Sequence, residues 1–126
     1  MRLLHVALLV ADLDKAAGFY ESVLGLSRAA RPELGFEGIF YALDGGHQLH
    51  LMRLDSPYRD CALPAHGGRD RHIALGVDDL DKVRTRLDSA GIPYTMSRSG
   101  RAALFCRDPD GNAVELCAMP AVGTDI

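Results

Sequence analysis

The chain has little sulfur to build with. Its 126 residues hold three cysteines, Cys61, Cys106 and Cys117, an odd number without C-x-x-C spacing. A disulfide framework and a sulfur-rich structural zinc site are both excluded, and reduced cytosolic thiols are the simplest account. Basic runs are also lacking: the arginines are scattered and the formal net charge is −3. Duplex nucleic acid and anionic membrane are therefore not expected as partners. No apolar stretch approaches a membrane span, and the N-terminus enters an alternating run without a cleavable signal pattern. A cytoplasmic location is the expectation.

What is present is a repeat. HVALLVADLDK at 5–15 returns as HIALGVDDLDK at 72–82, which puts His5 on His72, Asp12 on Asp79 and Lys15 on Lys82 at an offset of 67. A second echo joins LDGGHQLHLM (43–52) to PDGNAVELCA (109–118), with His50 and Glu115 65 apart. Each half supplies one histidine early and one potential ligand late. Three imidazoles and a carboxylate at matching positions of a duplicated unit point to one metal site shared between the halves. N and O donors suit Zn, Ni, Co, Mn or Fe without choosing among them. His47, beside a turn, and His66, in the linker, lack that support and read as surface or rim residues.

At this length the chain is one domain, 1–126, or two half-size modules that depend on each other, since about 60 residues make little core alone. The modules are expected at 1–54 and 71–118. The Pro-, Gly- and charge-rich segment 55–70 reads as a linker, and 119–126 as a loose tail. In module one a strand at 2–10 leads through Asp12 or Asp14, as helix cap, to a helix ending near Leu24 and stopped by Gly25. Strands follow near 27–31, 36–43 and 47–54, the last two joined by Asp44-Gly45-Gly46. Module two repeats the plan with a strand at 71–77, a helix from Leu80 to about Ala90, and strands near 93–97, 102–107 and 113–118. Asp110-Gly111-Asn112 makes the matching turn. Strand parity puts His72 with Ala74 and Gly76, and His5 with Ala7, so the candidate ligands share a face with small residues while bulky aliphatics point the other way.

HVALLVADLDKAAGFYESVLGL (5–26) and LFCRDPDGNAVEL (104–116) resemble the vicinal oxygen chelate superfamily, which includes glyoxalase I, fosfomycin-resistance proteins, extradiol dioxygenases, methylmalonyl-CoA epimerase and bleomycin-binding proteins. The resemblance spans nearly the whole chain apart from the linker and tail. It implies an α+β fold of two βαβββ modules whose eight strands form an open, cupped barrel, commonly completed in a homodimer. It further implies one divalent metal ion on His5, His50, His72 and Glu115. His50 stands where glyoxalase I usually carries a glutamate. Glu115 matches the carboxylate that glyoxalase I uses as ligand and proton-shuttling base, and so is the expected catalytic residue. Arg101, Tyr41 and Arg53 are the expected substrate contacts. The function so implied is a glyoxalase-like lyase or isomerase on a small substrate chelated through adjacent oxygens, such as a glutathione adduct. The alternatives are a fosfomycin-type thiol or water transferase and a non-catalytic binding or sequestering protein.

Overall fold

The computed structural model describes residues 1–119. The described residues divide into two compact units, one of Met1–Ala62 with Asp108–Asn112, the other of Leu63–Arg107 with 113–119. Each unit carries one four-stranded sheet.

In the first unit, β1 (His5–Val10) is followed by α1 (Leu13–Ala17), a π-helical segment (Gly18–Val23), β2 (Ser27–Ala29), β3 (Gly38–Ala42) and β4 (Gln48–Arg53). Of the two candidates, Asp12 caps α1, its Oδ1 accepting from Lys15 N at 3.0 Å. The single helix expected to Leu24 widens instead after Ala17, and Leu24 N donates to Phe19 O, five residues back. That wide turn lets Phe19, Tyr20 and Val23 all bury. The sheet order is β1-β4-β3-β2, with β1 parallel to β4 and the other pairs antiparallel. One face carries Val10, Ile39, Tyr41, Leu49 and Leu51, all buried, and the core of the unit forms there with the helical residues. The opposite face carries His5, Ala7, Phe40 and His50.

The second unit repeats the order with β5 (His72–Val77), α2 (Leu80–Ser89), β6 (Tyr94–Met96), β7 (Ala103–Arg107) and β8 (Ala113–Ala118), arranged β5-β8-β7-β6. Asp79 caps α2 through Lys82 N at 3.1 Å, the counterpart of Asp12. Val83 and Leu87 of α2 bury with Leu104, Val114 and Leu116. Gly25 and Gly91, which close the two helical stretches, adopt φ of 78° and 68°, a conformation that disfavours any side chain.

The two βαβββ modules stand as expected, but the eight-stranded barrel does not. The strands form two separate four-stranded sheets. The reason lies in the pairing: each module joins its own first strand to its own last, in parallel, so each ladder is completed inside its module. That leaves β1 and β2, and β5 and β6, as edge strands of open sheets. Among the described residues no helix is long and apolar enough to cross a membrane.

Residues 108–112 belong to the first unit although β7 and β8 flank them in sequence. Asp108 is 5% exposed and its carboxylate accepts four hydrogen bonds, from the Tyr20 hydroxyl at 2.7 Å and from Asn112 Nδ2, Asp110 N and Asn112 N at 2.9 Å each. Asn112 Nδ2 also donates to Leu9 O at 3.0 Å, and Asp110 Oδ1 accepts from Ala11 N at 2.9 Å. The D-P-D-G-N run is a turn, as its composition predicts, and also the anchor of that turn on β1 and the π-helical segment.

Candidate functional site

On the open face of the first sheet, cross-strand register fixes what meets what. Ala7 pairs with His50 and His5 with Gln48, so His5 and His50 stand diagonally on one face, while Phe40 sits directly opposite His50. The three rings form a column. Phe40 and His50 stack with centroids 3.5 Å apart, and His50 and His5 with centroids 4.1 Å apart. His50 Nε2 lies 2.7 Å from Gln48 Oε1. Burial, then the neighbouring His5 and Arg31, pushes the His50 imidazole below its ordinary pKa and favours its neutral form.

The second unit presents the corresponding face around Phe105, which pairs with Glu115 as Phe40 pairs with His50. His72 and His66 both meet Phe105 edge-on, at 5.2 and 4.9 Å between centroids. His72 Nδ1 donates to Asp70 O at 2.8 Å, which fixes the ring's orientation and leaves Nε2 outside that bond. Glu115 is 7% exposed. Its Oε2 accepts from the Cys117 thiol at 2.8 Å, and Arg101 Nη2 donates to Cys117 Sγ at 3.4 Å. Burial first, then the bond to Glu115, pushes the Cys117 thiol up to about 11, so it stays protonated as the donor.

Within the first unit His5 and His50 share one sheet face, and within the second His72 and Glu115 do. Donor chemistry alone suits a divalent ion, and His72 has the free nitrogen and backbone-held ring of a ligand. The arrangement does not suit one. Stacked imidazoles present their lone pairs side by side rather than to a common point, and Gln48 and Cys117 already engage His50 and Glu115. Among the described residues, no group of three or more His, Cys, Asp or Glu side chains could hold a metal ion. Neither unit's pair, so arranged, fits a resident metal by itself.

Of the expected substrate contacts, Arg101 reaches the Glu115 group through Cys117. Tyr41 is completely buried on the helix-packed face, its hydroxyl donating to Glu21 Oε2 at 2.8 Å, and burial raises its pKa far above the phenol range. Arg53 is paired with Glu37 at the end of β4. His47 bonds Leu3 O through Nδ1, and His66 bonds Thr95 Oγ1. Phe40, Phe105, Gln48 and Cys117 were not foreseen. The two phenylalanines carried a signal, since they fall 65 residues apart in the same frame as His50 and Glu115.

The sequence profile described as Glyoxalase/Bleomycin resistance protein/Dioxygenase superfamily matches residues 2–116. The chain is 30% identical to the lactoylglutathione lyase of Haemophilus influenzae over 123 residues, covering 91% of this chain and 90% of that protein. It is 32% identical to human mitochondrial methylmalonyl-CoA epimerase over 127 residues, covering 91% of this chain and 72% of the relative. Among solved structures it is similar to TnmS3, an antibiotic binding protein from Streptomyces sp. CB03234, with 25% identity, a TM-score of 0.70, and coverage of 95% of this chain and 97% of the other. With the duplicated βαβββ module and a profile match over most of its length, this chain belongs to the glyoxalase/bleomycin resistance protein/dioxygenase superfamily.

Proposed function

We propose that the chain is an isomerase or lyase of the glyoxalase type, acting on a small substrate with adjacent oxygens, with Glu115 as the group that moves the proton. The observation that carries this reading is the setting of Glu115. It is an almost wholly buried carboxylate on the same strand face as Cys117, with a thiol donor at 2.8 Å and no cation within ion-pair reach among the described residues. A carboxylate so placed can take a proton from a carbon next to a carbonyl and return it, the elementary step of an isomerisation. The Cys117 thiol holds the second carboxylate oxygen in orientation and hands no proton on, because its own pKa is too high. The names of the relatives, a lyase and an epimerase, support the same class of step.

The substrate we propose first is a glutathione adduct, the hemithioacetal of methylglyoxal. Turnover is measured with Ni, Co, Zn and Mn supplied in turn. Activity with one of them supports the lyase, and no activity with any contradicts it. An ion on His5, His50, His72 and Glu115, one per chain, is proposed in a homodimer, with Gln48 and Cys117 giving up their hold on His50 and Glu115 when it binds. The open edges of β1 and β5, with Val6, Leu8, Ile73 and Leu75 half-exposed, support association. Elemental analysis near one metal per chain, falling sharply in His5→Ala, is the expected result. A monomer by sedimentation at micromolar concentration contradicts this part of the proposal.

A second reading, capture of a small molecule without chemistry, is favoured by the exposed His5 ring at the end of the Phe40–His50–His5 column, on which a planar ligand can stack, and by the likeness to an antibiotic binding protein. Tight binding of a planar aromatic compound with no turnover of either relative's substrate would establish it over the first.

A further inference from the structure

Arg31 lies between β2 and β3, and its guanidinium continues the ring column of the first sheet. Its Cζ stands 5.7 Å from the centroid of Phe40, which stacks on His50, and 5.0 Å from the centroid of Phe36. One of its five N–H donors is spent, Nη2 to Phe36 O at 2.8 Å. Nε is shut off from water and has no hydrogen-bond partner. The two carboxylates nearest in sequence are engaged elsewhere: Glu33 accepts from Gly35 N, and Glu37 pairs with Arg53. Among the described residues no carboxylate comes within ion-pair reach of Arg31.

The backbone is shaped around this side chain. A Cβ on Gly38 would stand 2.9 Å from Arg31 Nε and 3.0 Å from Nη2, besides colliding with Leu51 O. The glycine leaves room for the guanidinium at the start of β3, beside two aromatic rings and one carbonyl. A half-buried cation that lacks a counter-charge and has one donor, Nε, out of water is costly to the folded chain. An oxyanion at the outer Nη1–Nη2 edge supplies the counter-charge, and a planar guanidinium suits a carboxylate or phosphate there through two parallel N–H···O bonds.

We propose that Arg31 is the anchor for an anionic group of the bound molecule, so that the ligand of the first sheet carries a carboxylate or phosphate that reaches the Arg31 end of the Phe40–His50–His5 column. This rests on the reading above only in taking that molecule as the substrate. Sequence alone did not single out Arg31, because it lies outside both repeated segments and its meaning comes from Phe36, Gly38 and Phe40 folding around it.

The test reads binding without turnover. Malonate, inorganic phosphate and uncharged malonamide are titrated separately into the full-length protein, with the side-chain Nε–H resonance of Arg31 followed by NMR and assigned through Arg31→Lys. Malonate or phosphate is expected to shift that resonance saturably, malonamide to leave it unmoved, and the tighter of the two anions names the group. Arg31→Gln should weaken anion binding by about ten-fold or more, while the exposed Arg98→Gln leaves it unchanged. Arg31→Lys keeps the charge without the fork and guards against a folding defect in the glutamine variant. An Arg31 resonance indifferent to both anions, or equal binding by Arg31→Lys, Arg31→Gln and wild type, overturns the proposal. Anion binding that persists in a protein without turnover leaves Arg31 in place and removes only the isomerase.

Discussion

Asp108→Asn separates two opposing contributions of one buried carboxylate. In the native chain the Asp108 carboxylate accepts four hydrogen bonds and is almost out of water, and burial raises its pKa above the ordinary value against the pull of those bonds. A native pKa above the unfolded one means that the folded protein binds this proton more firmly. The contribution is fully present below the unfolded pKa and is lost as pH rises through the native value. An asparagine does not titrate, but its amide nitrogen would face either the backbone donors of Asp110 and Asn112 or the Asn112 amide. At neutral pH the charge-assisted bonds are lost in the variant, so a net destabilisation of about 1–3 kcal/mol is expected. At roughly 4 °C per kcal/mol for a chain of this size, that is a fall in Tm of about 4–12 °C. Thermal unfolding of both proteins from about pH 7 to about pH 4 tests the sign, because titrations common to both cancel in the difference. The gap between wild type and variant should widen on acidification. A gap that narrows would show that the four hydrogen bonds outweigh desolvation, and the reasoning fails.

Tyr20→Phe removes a wholly buried hydroxyl donor to the same carboxylate and should cost about 1.5–3 kcal/mol by chemical denaturation, with no change in cooperativity. Gly38→Ala brings a Cβ to 2.4 Å from Leu51 O, a backbone atom that cannot swing aside, and should destabilise by about 1–3 kcal/mol and lower Tm. Cys117→Ala takes away the donor to Glu115, while Cys117→Ser keeps a hydroxyl there. The alanine variant should lose kcat with KM little changed and the serine variant should recover it.

The repeat made the architecture legible. A fixed offset named both βαβββ modules and the strand positions of His5, His50, His72 and Glu115, and left the first helix cap between Asp12 and Asp14. Parity alone also held the answer for Tyr41: it pairs with Leu49, on the face that packs the helix, whereas Phe40 pairs with His50. Choosing Tyr41 as a substrate contact followed side-chain chemistry where alternation was the stronger guide. Barrel closure was not legible, because strand pairing beyond a module depends on edges that local pattern does not describe. Nor was the second role of the D-P-D-G-N turn, since the partners of Asp108, Asp110 and Asn112 lie 88 to 103 residues away. Arg31 and Cys117 escaped for the same reason that a lone arginine or thiol says little: their meaning is set by neighbours that only folding supplies.

The most direct measurement follows the proton assigned to Glu115. Wild type and Glu115→Gln, each supplied with Ni, Co, Zn and Mn in turn, are compared in D2O on the methylglyoxal–glutathione hemithioacetal and on methylmalonyl-CoA, with deuterium at the carbon next to the carbonyl and turnover both read by NMR. The account predicts that wild type turns over or exchanges one of the two, and that Glu115→Gln slows that reaction by about 10²–10⁴-fold with the fold intact by circular dichroism. Equal rates in the two proteins, or no reaction of either compound with wild type, would contradict it.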